Sequence, residues 1–268
     1  MANRIDETFS QLRAAGRKAF MPFVTAGDPS LAVTEALIRD LAKRGATHVE
    51  LGLPYSDPVA DGPTIQASFN RALAAGTKLD DIFAMVKHLR RDCHIPISAM
   101  GSYTLVARRG VARFLDEAKA AGIDGLIIPD LPLEEVEAMA PEAAARGLDQ
   151  IMLVAPTTPP ERAARIAARA TGFIYYICVS GITGERTALP TDVGEHVAAL
   201  RQSARVPVCV GFGISRPEHV RAVAAVADGV IVGSAIVRRV EEMAGRPAAE
   251  VVEHVGRYVE ELVAALPR

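Results

Sequence analysis

The sequence predicts a closed (β/α)8 barrel. Segments with helical periodicity alternate along the whole chain with eight short apolar runs. Continuous apolar strands between helices are typical of a parallel sheet that is covered on both faces. Eight such units in about 250 residues are the size of a closed barrel. An open, doubly wound parallel sheet is the alternative.

The predicted strands are short, and most of them end next to glycine or proline. They span residues 19–25, 47–51, 95–100, 124–128, 148–154, 173–177, 206–210 and 228–232. An amphipathic helix over residues 5–15 precedes them as an extra element. Further helices are predicted over 29–44, 64–74, 79–91, 110–121 and 133–146, from 158 to about 172, up to about 203, over 235–240 and at the end of the chain. Because composition shifts nowhere and no linker is visible, residues 1–268 form a single predicted domain.

Two of these helices begin with predicted caps. Asp28 stands directly before Pro29, so we expect its carboxylate to cap the helix that starts there. The sequence Thr158-Pro159-Pro160-Glu161 combines a capping box with proline in the first turn. Both assignments place a side-chain oxygen on the free N–H groups of a first helical turn.

Composition and charge argue against several classes of protein. The formal net charge is −2, and arginine pairs such as Arg90-Arg91 are interpreted as solvated helix ends rather than a nucleic-acid surface. Cys93, Cys178 and Cys209 form no C-x-x-C pair, so we expect a reduced protein without structural zinc. The acidic N-terminal residues do not resemble a signal peptide, and no window approaches the roughly 20 apolar residues of a membrane span. A cytoplasmic location without membrane contact is therefore expected.

In such a barrel, functional residues collect where the strands pass into the following loops. The predicted strand ends carry Glu50, Met100, Asp130, Tyr175, Gly211-Phe212-Gly213 and Gly233-Ser234. The two glycine turns follow strands seven and eight, where this fold binds phosphate through backbone N–H groups and a helix N-terminus. Gly184, in the loop after strand six, could add a third N–H group. Ordinary tight turns are the alternative, but their position favours a phosphate.

The reacting groups follow by elimination. None of the five lysines lies at a strand end, which argues against a Schiff base. The six histidines form no H-x-H or H-x-x-x-H pair, so no catalytic metal is expected. The turn G-F-G-I-S-R is not a dinucleotide fingerprint, and no Walker motif is present. What remains is a pair of carboxylates, Glu50 within strand two and Asp61 at the end of the loop behind it.

Glu50 and Asp61 each have a structural alternative. Glu50 could be a buried, structurally paired glutamate, and Asp61 could cap the helix over 64–74. A dry setting between Val49 and Leu51, however, raises the pKa of a carboxyl toward the range useful for acid–base catalysis. Asp61 could meet an N–H or O–H group of a ligand. Their occurrence together on one strand–loop unit favours function.

Six stretches of the chain carry a resemblance to a known family. They are F-V-T-A-G-D-P (23–29), E-L-G-L-P-Y-S-D-P-V-A-D-G-P-T-I-Q (50–66), I-P-D-L-P-L-E-E (128–135), S-G-I-T-G (180–184), G-F-G-I-S (211–215) and V-G-S-A-I-V (232–237). Over essentially its whole length, the sequence resembles the α subunits of tryptophan synthase. The second stretch is long and highly specific. The resemblance implies a lyase that splits indole-3-glycerol phosphate, by reverse aldol cleavage, into indole and glyceraldehyde 3-phosphate.

The resemblance also implies roles for individual residues. The acid–base glutamate of the family matches Glu50. The aspartate that accepts the indole N–H and steadies the positive charge of the tautomer matches Asp61. The tyrosine at the end of strand six matches Tyr175, for which a plain core aromatic is the alternative. The implied ring contacts are Phe23, Ile65, Met100 and Phe212, and the implied phosphate contacts are Gly184, Gly213, Gly233 and Ser234.

A partner is implied by the same resemblance. The family pairs this subunit with a pyridoxal-phosphate β subunit that consumes the indole, in an α2β2 heterotetramer, and the α chain itself holds no cofactor or metal. The loop over 53–60, with Pro54 and Asp57, would face the partner, and its middle from Pro54 to Pro58 is expected to be exposed. The loop over 178–191 would close over the substrate. A free-standing indole-releasing lyase and a non-catalytic, phosphate-ligand-binding regulatory subunit are the alternatives.

Two positions depart from the family pattern. Ser102-Tyr103-Thr104 stands where Y-x-N is usual after strand three, which affects the expected partner interface. His48 stands where an aliphatic residue is usual, on the same strand face as Glu50. We expect a hydrogen-bonded core histidine there, and a role in tuning Glu50 is the alternative.

Overall fold

The computed structural model describes residues 3–58, 61–177, 193–211 and 213–267. Within these residues, eight parallel strands close into a barrel in chain order, as predicted, and the open sheet is excluded. The last strand pairs with the first through Ala19↔Gly229 to Pro22↔Val232. The strands are β1 (Ala19–Thr25), β2 (Val49–Gly52), β3 (Ile97–Met100), β4 (Gly125–Ile127), β5 (Asp149–Val154), β6 (Ile174–Ile177), β7 (Val208–Gly211) and β8 (Gly229–Val232).

The described helices surround this barrel. They are α1 (Arg4–Ala14), α2 (Leu31–Lys43), α3 (Pro63–Ala74), α4 (Leu79–Leu89), α5 (Tyr103–Arg109), α6 (Val111–Ala121), α7 (Leu133–Ala145), α8 (Pro160–Arg169), α9 (Val193–Ser203), α10 (Pro217–Val226), α11 (Ser234–Glu242) and α12 (Ala248–Val263). The sequence did not predict α5, which Gly110 separates from α6 at a φ of 86°. Among the described helices, none combines the length and apolar character that crossing a membrane requires.

The extra helix α1 closes the amino-terminal end of the barrel. Its buried residues Ile5, Phe9 and Leu12 belong to the same apolar cluster as the inward-facing residues Met21, Ile127, Ile151, Phe173, Cys209 and Ile231. The Phe9 and Phe173 rings lie 5.8 Å apart between centroids. Burial of these side chains excludes water from that end, and in this fold ligands bind at the opposite end, where the strands pass into the following loops.

Both predicted caps are wrong. Helix α2 is capped by Ser30, whose hydroxyl accepts the Val33 N–H at 3.2 Å. The Asp28 carboxylate is buried and accepts two hydrogen bonds of 3.0 and 2.8 Å from the Arg71 guanidinium. An unpaired buried charge costs more free energy than a missing helix cap, so the carboxylate pairs with the arginine. At α8 the N-cap is Pro159, and the Thr158 hydroxyl instead accepts the Ala155 N–H at the end of β5.

The prediction of a solvated Arg90 is also wrong. Its side chain is 9% exposed and binds the Asp124 carboxylate at 2.9 Å. The same guanidinium donates to the carbonyl oxygens of Gly122 at 2.9 Å and Ile95 at 2.6 Å. Arg90 therefore ties the end of α4 to the beginnings of β3 and β4, a structural role for the barrel.

Candidate active site

Strand β2 carries Glu50 into the interior of the barrel. Its Cα lies between those of Phe23 on β1 and Ser98 on β3. The residue is 2% exposed, and its Oε1 atom has no hydrogen-bond partner in the described residues. A structurally paired glutamate is thus not what the geometry shows. Burial, followed by the charge of Asp61, raises the pKa of Glu50 to about 8, so the carboxyl is largely protonated at neutral pH.

Asp61 lies at the end of the β2–α3 loop and is half-buried. Its Oδ2 accepts the Tyr55 hydroxyl at 3.1 Å, and its backbone carbonyl accepts the Gln66 side-chain amide at 2.7 Å. The helix-cap alternative is excluded, because α3 has Gly62 as its N-cap and no side-chain cap. Burial, and to a smaller extent the charge of Asp130, raises the pKa of Asp61 to about 6 against the lowering effect of the Tyr55 bond.

The two carboxyls therefore differ in their state at neutral pH. Glu50 holds a proton, whereas Asp61 is largely ionised. A pair of titratable groups whose environments push their pKa values apart is the usual arrangement for a general acid beside an anionic stabiliser. The first group can donate a proton, and the second can accept a hydrogen bond or stabilise positive charge.

An apolar wall stands beside Glu50. Phe23, Ile65, Phe69 and Val237 form one buried cluster, and Met100 and Tyr55 pack against it. The structure thus brings together three predicted ring contacts, Phe23, Ile65 and Met100. Gly52 is required here, since a Cβ at this position would lie 2.4 Å from Cζ of Phe23. Sequence inspection missed Gly52, Tyr55 and Gln66, although all three lie within the motif that contains both carboxylates.

Tyr175 occupies the opposite side of the barrel mouth. It is half-buried, lies beside Leu153 and Cys209 in the sheet, and packs against the interior cluster. A Cβ at Gly211 would lie 2.6 Å from the Tyr175 ring, so that glycine keeps the space for the aromatic side chain. The position is compatible with both sequence interpretations, a ligand contact and a core aromatic.

The glycine turns lie at the ends of β7 and β8. Gly213 has a φ of 72°, a conformation that favours glycine. Gly233 is the N-cap of α11, and Ser234 is the first residue of that helix, so the Ser234 N–H group has no i−4 partner within the helix. Among the described residues, a Cβ at Gly233 would meet only Phe23, at 3.6 Å, so this part of the structure leaves the backbone there open to a ligand. Gly184, Phe212 and the loop over 178–191 lie outside the described residues.

The predicted exposure of the 54–58 segment is wrong in part. Pro54 and Pro58 are buried, Tyr55 is half-buried, and the exposed tip consists of Ser56 and Asp57. The reason is that pairing with β3 continues past the end of β2, where the Leu53 N–H donates to the Met100 carbonyl at 2.7 Å. This pairing draws the start of the loop against the barrel, so Pro54 is buried in the isolated chain.

The region that departs from the family pattern has a defined structure. Ser102 is the N-cap of α5, and its hydroxyl accepts the Thr104 N–H at 3.1 Å. The same hydroxyl donates to Asp130 at 2.6 Å, and the Tyr103 N–H donates to Asp130 at 2.8 Å. Asp130, at the end of β4, therefore organises the start of α5 next to the site.

His48 is not the hydrogen-bonded core histidine that was expected. It is 2% exposed, and neither ring nitrogen has a hydrogen-bond partner in the described residues. Its ring meets Phe173 edge-on at 5.5 Å and 87°. Burial, together with the charge of Arg90, lowers the pKa of His48 to about 3, so the imidazole is neutral at neutral pH.

The fold is that of a (β/α)8-barrel protein, and two carboxyl groups, the buried Glu50 and the half-buried Asp61, lie at or behind the carboxyl end of strand β2. In the described residues, no group of three or more metal-ligating side chains is assembled. Comparison with known proteins identifies the family. The model of the tryptophan synthase alpha chain family matches residues 9–266. The chain belongs to this family, which makes it a lyase with the alpha-subunit role in tryptophan biosynthesis.

Individual relatives support this assignment over the whole length. The tryptophan synthase alpha chain of Geobacter sulfurreducens is 49% identical over 264 residues, covering 98% of this chain and 99% of the relative. That of Chloroflexus aggregans is 46% identical and covers 99% of both chains. A crystal structure of the tryptophan synthase alpha subunit from Legionella pneumophila has a TM-score of 0.90 at 36% identity, covering 99% and 98% of the two chains. A chain of a tryptophan synthase complex from Pyrococcus furiosus has a TM-score of 0.84 at 38% identity, covering 92% and 99%.

Proposed function

We propose that Glu50 and Asp61 carry the reverse aldol cleavage of indole-3-glycerol phosphate to indole and glyceraldehyde 3-phosphate. The observation that supports this most directly is the difference between the two buried carboxyls. One holds a proton at neutral pH and the other is largely ionised, at the end of the barrel where this fold binds its ligands.

The proposed reaction makes two proton transfers, both through Glu50, and breaks one carbon–carbon bond. Glu50 gives its proton to the indole ring carbon that carries the side chain, and the positive charge moves to the ring nitrogen. Asp61 accepts the N–H of this tautomer and stabilises the charge. Glu50 then takes the proton of the adjacent side-chain hydroxyl, the carbon–carbon bond breaks, and its electron pair returns to the indole ring. Glyceraldehyde 3-phosphate leaves as the aldehyde, and Glu50 is protonated again.

Substrate contacts follow from the walls of the site. Phe23, Ile65 and Met100 offer an apolar surface of the kind that an indole ring needs. The backbone at Gly213, Gly233 and Ser234 is proposed to bind the phosphate, supported by the open approach at Gly233 and the start of α11. Gly184, Phe212 and Tyr175 are proposed to complete these contacts.

The test of the proposed chemistry is Glu50→Gln. The amide keeps the shape of the side chain but cannot shuttle a proton, so turnover should fall by about 10²-fold or more. Substrate affinity should change little. The measurement is indole release together with substrate binding by calorimetry. Glu7→Gln, an exposed change on α1 at the opposite end of the barrel, is the matched control. Near-normal turnover of Glu50→Gln would remove Glu50 from the mechanism.

We further propose that the chain works in an α2β2 assembly in the cytoplasm. A pyridoxal-phosphate β subunit would consume the indole, and this chain would hold no cofactor of its own. The family and the Pyrococcus furiosus complex among the similar structures support a β partner. A free-standing lyase would run at full rate alone, and a regulatory subunit would release no indole. One indole-release assay, with and without an added β subunit, separates the three functions.

A further inference from the structure

Three buried polar side chains in the barrel interior have unpaired atoms. His48, Glu50 and Ser98 are at most 2% exposed. Both ring nitrogens of His48, the Oε1 atom of Glu50 and the Oγ atom of Ser98 have no hydrogen-bond partner in the described residues. Buried polar groups in folded proteins are almost always hydrogen-bonded, because their desolvation is costly. Three such groups at one place therefore point to a shared arrangement.

The strand register places the three side chains near one another on the inner face of two adjacent strands. Glu50 on β2 and Ser98 on β3 are direct Cα partners, and neighbouring strands lie about 4.8 Å apart. His48 precedes Glu50 by two residues, so it shares the inward face of the chain at β2 but lies one step deeper in the barrel. The neighbouring side chains are apolar. The Phe173 ring meets the His48 ring edge-on. A Cβ added at Gly125 would contact Ile5, Ile151 and Ser98 Oγ, so Ser98 lies beside the two isoleucines.

We propose that Ser98 and His48 form a hydrogen-bond relay beneath Glu50 that holds its carboxyl in both protonation states. A change of side-chain rotamer lets Ser98 Oγ reach the Glu50 carboxyl, because the two residues are adjacent in the sheet and neither Oγ nor Oε1 is bonded to another described group. An internal water joins Ser98 to His48, which lies farther along the strand. Ser98 and His48 are positioning residues, since neither touches the substrate. The relay presupposes the catalytic role proposed for Glu50 above.

The chemistry of the two groups suits a carboxyl that is both acid and base. When Glu50 is protonated, it donates to Ser98 Oγ, and the Ser98 hydroxyl donates onward to the water and His48. When Glu50 is ionised, Ser98 donates to it, and His48 donates to the water that Ser98 accepts from. A hydroxyl is both donor and acceptor, and a neutral imidazole supplies either function according to its tautomer. The low pKa of His48 keeps the ring neutral throughout.

Other charged or titratable groups lie in the interior cluster or act on Glu50, Asp61 or His48 through their charge, and they stay unchanged in the test. They are Asp61 from the β2–α3 loop, Asp130 behind β4, Tyr175 on β6, Cys209 on β7 and Arg90 behind α4. The charge of Asp61 acts on Glu50, and the charge of Arg90 acts on His48. A comparison of variants at position 98 therefore isolates the contribution of the hydroxyl.

The experiment compares Ser98→Thr with Ser98→Val, which have the same shape and differ only in the hydroxyl. The pKa of Glu50 is read directly from the ¹³C shift of its carboxyl carbon, assigned by the loss of that signal in Glu50→Gln. Loss of a donor to the ionised form raises a carboxyl pKa, so the value should be about one pH unit higher in Ser98→Val than in Ser98→Thr. His48→Leu should shift it upward by a smaller amount. The pH dependence of indole release should move in the same direction.

Equal Glu50 pKa values in the valine and threonine variants would overturn the relay. An unchanged value in His48→Leu would overturn the part of it that includes His48. Ser98→Ala, compared with the unmodified chain, replaces the pair if the larger side chains unfold the protein next to Gly125. A shift of the Glu50 pKa without any change in the pH profile of turnover would support the relay and contradict the catalytic role of Glu50, so the two proposals fail separately.

Discussion

Glu50 and Asp149 are both buried carboxylates of the barrel, and they serve as a comparison at the scale of single residues. Burial raises the pKa of Asp149 to about 7, with a further contribution from the charge of Asp6. Asp149, however, is the first residue of β5, at the end of the barrel that α1 closes. A raised pKa therefore indicates a dry environment for the carboxyl group. Such a group is a candidate for ligand binding only where it also lies at the carboxyl end of a strand.

Asp149→Asn should stabilise the chain above neutral pH. The pKa of the carboxyl is about 7 in the folded chain and 3.8 as its ordinary value, so the folded chain keeps the proton to a higher pH. The contribution of the Asp149 carboxyl to the free energy of unfolding is fully present below about pH 4 and is lost as the pH rises through 7. Asparagine stays neutral, so the gain in unfolding free energy should be roughly 1–3 kcal/mol larger at pH 8 than at pH 5.

Urea unfolding at the two pH values measures this difference. Asp57→Asn makes the same chemical change at an exposed position and is the matched control. A gain of equal size at pH 5 and pH 8 would mean that the Asp149 carboxyl does not titrate as described.

At the scale of elements, glycines at the strand ends divide into two kinds. Gly52 and Gly211 leave space for the rings of Phe23 and Tyr175, since a Cβ at either position would lie within 2.6 Å of the ring. Gly233 has only ordinary contact at 3.6 Å, and its φ of −110° is accessible to other residues. Gly52 and Gly211 are therefore explained by the space that a neighbouring ring occupies. For Gly233 the proposed reason is the approach of a ligand.

Gly233→Ala should weaken phosphate binding without unfolding the chain. The added methyl group would stand between the ligand and the start of α11, and we expect the affinity for glyceraldehyde 3-phosphate to fall about tenfold, or about 1.4 kcal/mol. Titration calorimetry measures the affinity and thermal unfolding measures the stability. Gly213→Ala is the comparison, because its positive φ should add a loss of stability of about 1 kcal/mol. Unchanged affinity in both folded variants would show that the turns bind no phosphate.

At the scale of the whole molecule, one end of the barrel is closed and the other carries an exposed tip beside the site. Ser56 and Asp57 are exposed, whereas Leu53, Pro54 and Pro58 of the same loop are buried. The Gln66 side-chain amide donates to the carbonyl oxygens of Pro58 and Asp61, and the Asp61 N–H donates to Pro58 at 3.1 Å. These bonds connect Pro58, the residue after the tip, to the Asp61 backbone.

Asp57→Ala should uncouple the chain from its proposed β partner. We expect the isolated chain to release indole slowly and the partner to accelerate it by one or two orders of magnitude, a coupling of roughly 1–3 kcal/mol. The variant should lose most of this acceleration and keep the slow basal rate, because Asp57 is exposed whereas Glu50 is buried in the barrel interior. Indole release with and without the partner is the measurement. An Asp57→Ala variant that the partner activates as strongly as the unmodified chain contradicts the coupling through this loop.

The sequence by itself determined the order and place of the eight strands, the extra helix and the position of Glu50 and Asp61. These features depend on short-range signals, namely apolar runs, helical periodicity and glycine or proline at the ends. The helix α5 was missed because its segment has aromatic and β-branched residues at its start, and its cap depends on Asp130 from the end of β4. Local pattern therefore sufficed wherever neighbours in the sequence decide the structure.

Only the tertiary structure decided how the polar side chains are partnered. Asp28 binds Arg71 rather than a helix end, Asp61 binds Tyr55, and the nitrogens of His48 are bonded to no described group. Pro54 and Pro58 are buried although proline is typical of exposed loops. The physical reason is that desolvation and the choice of a charge partner depend on groups that the fold brings together from distant parts of the chain, 43 residues apart for Asp28 and Arg71.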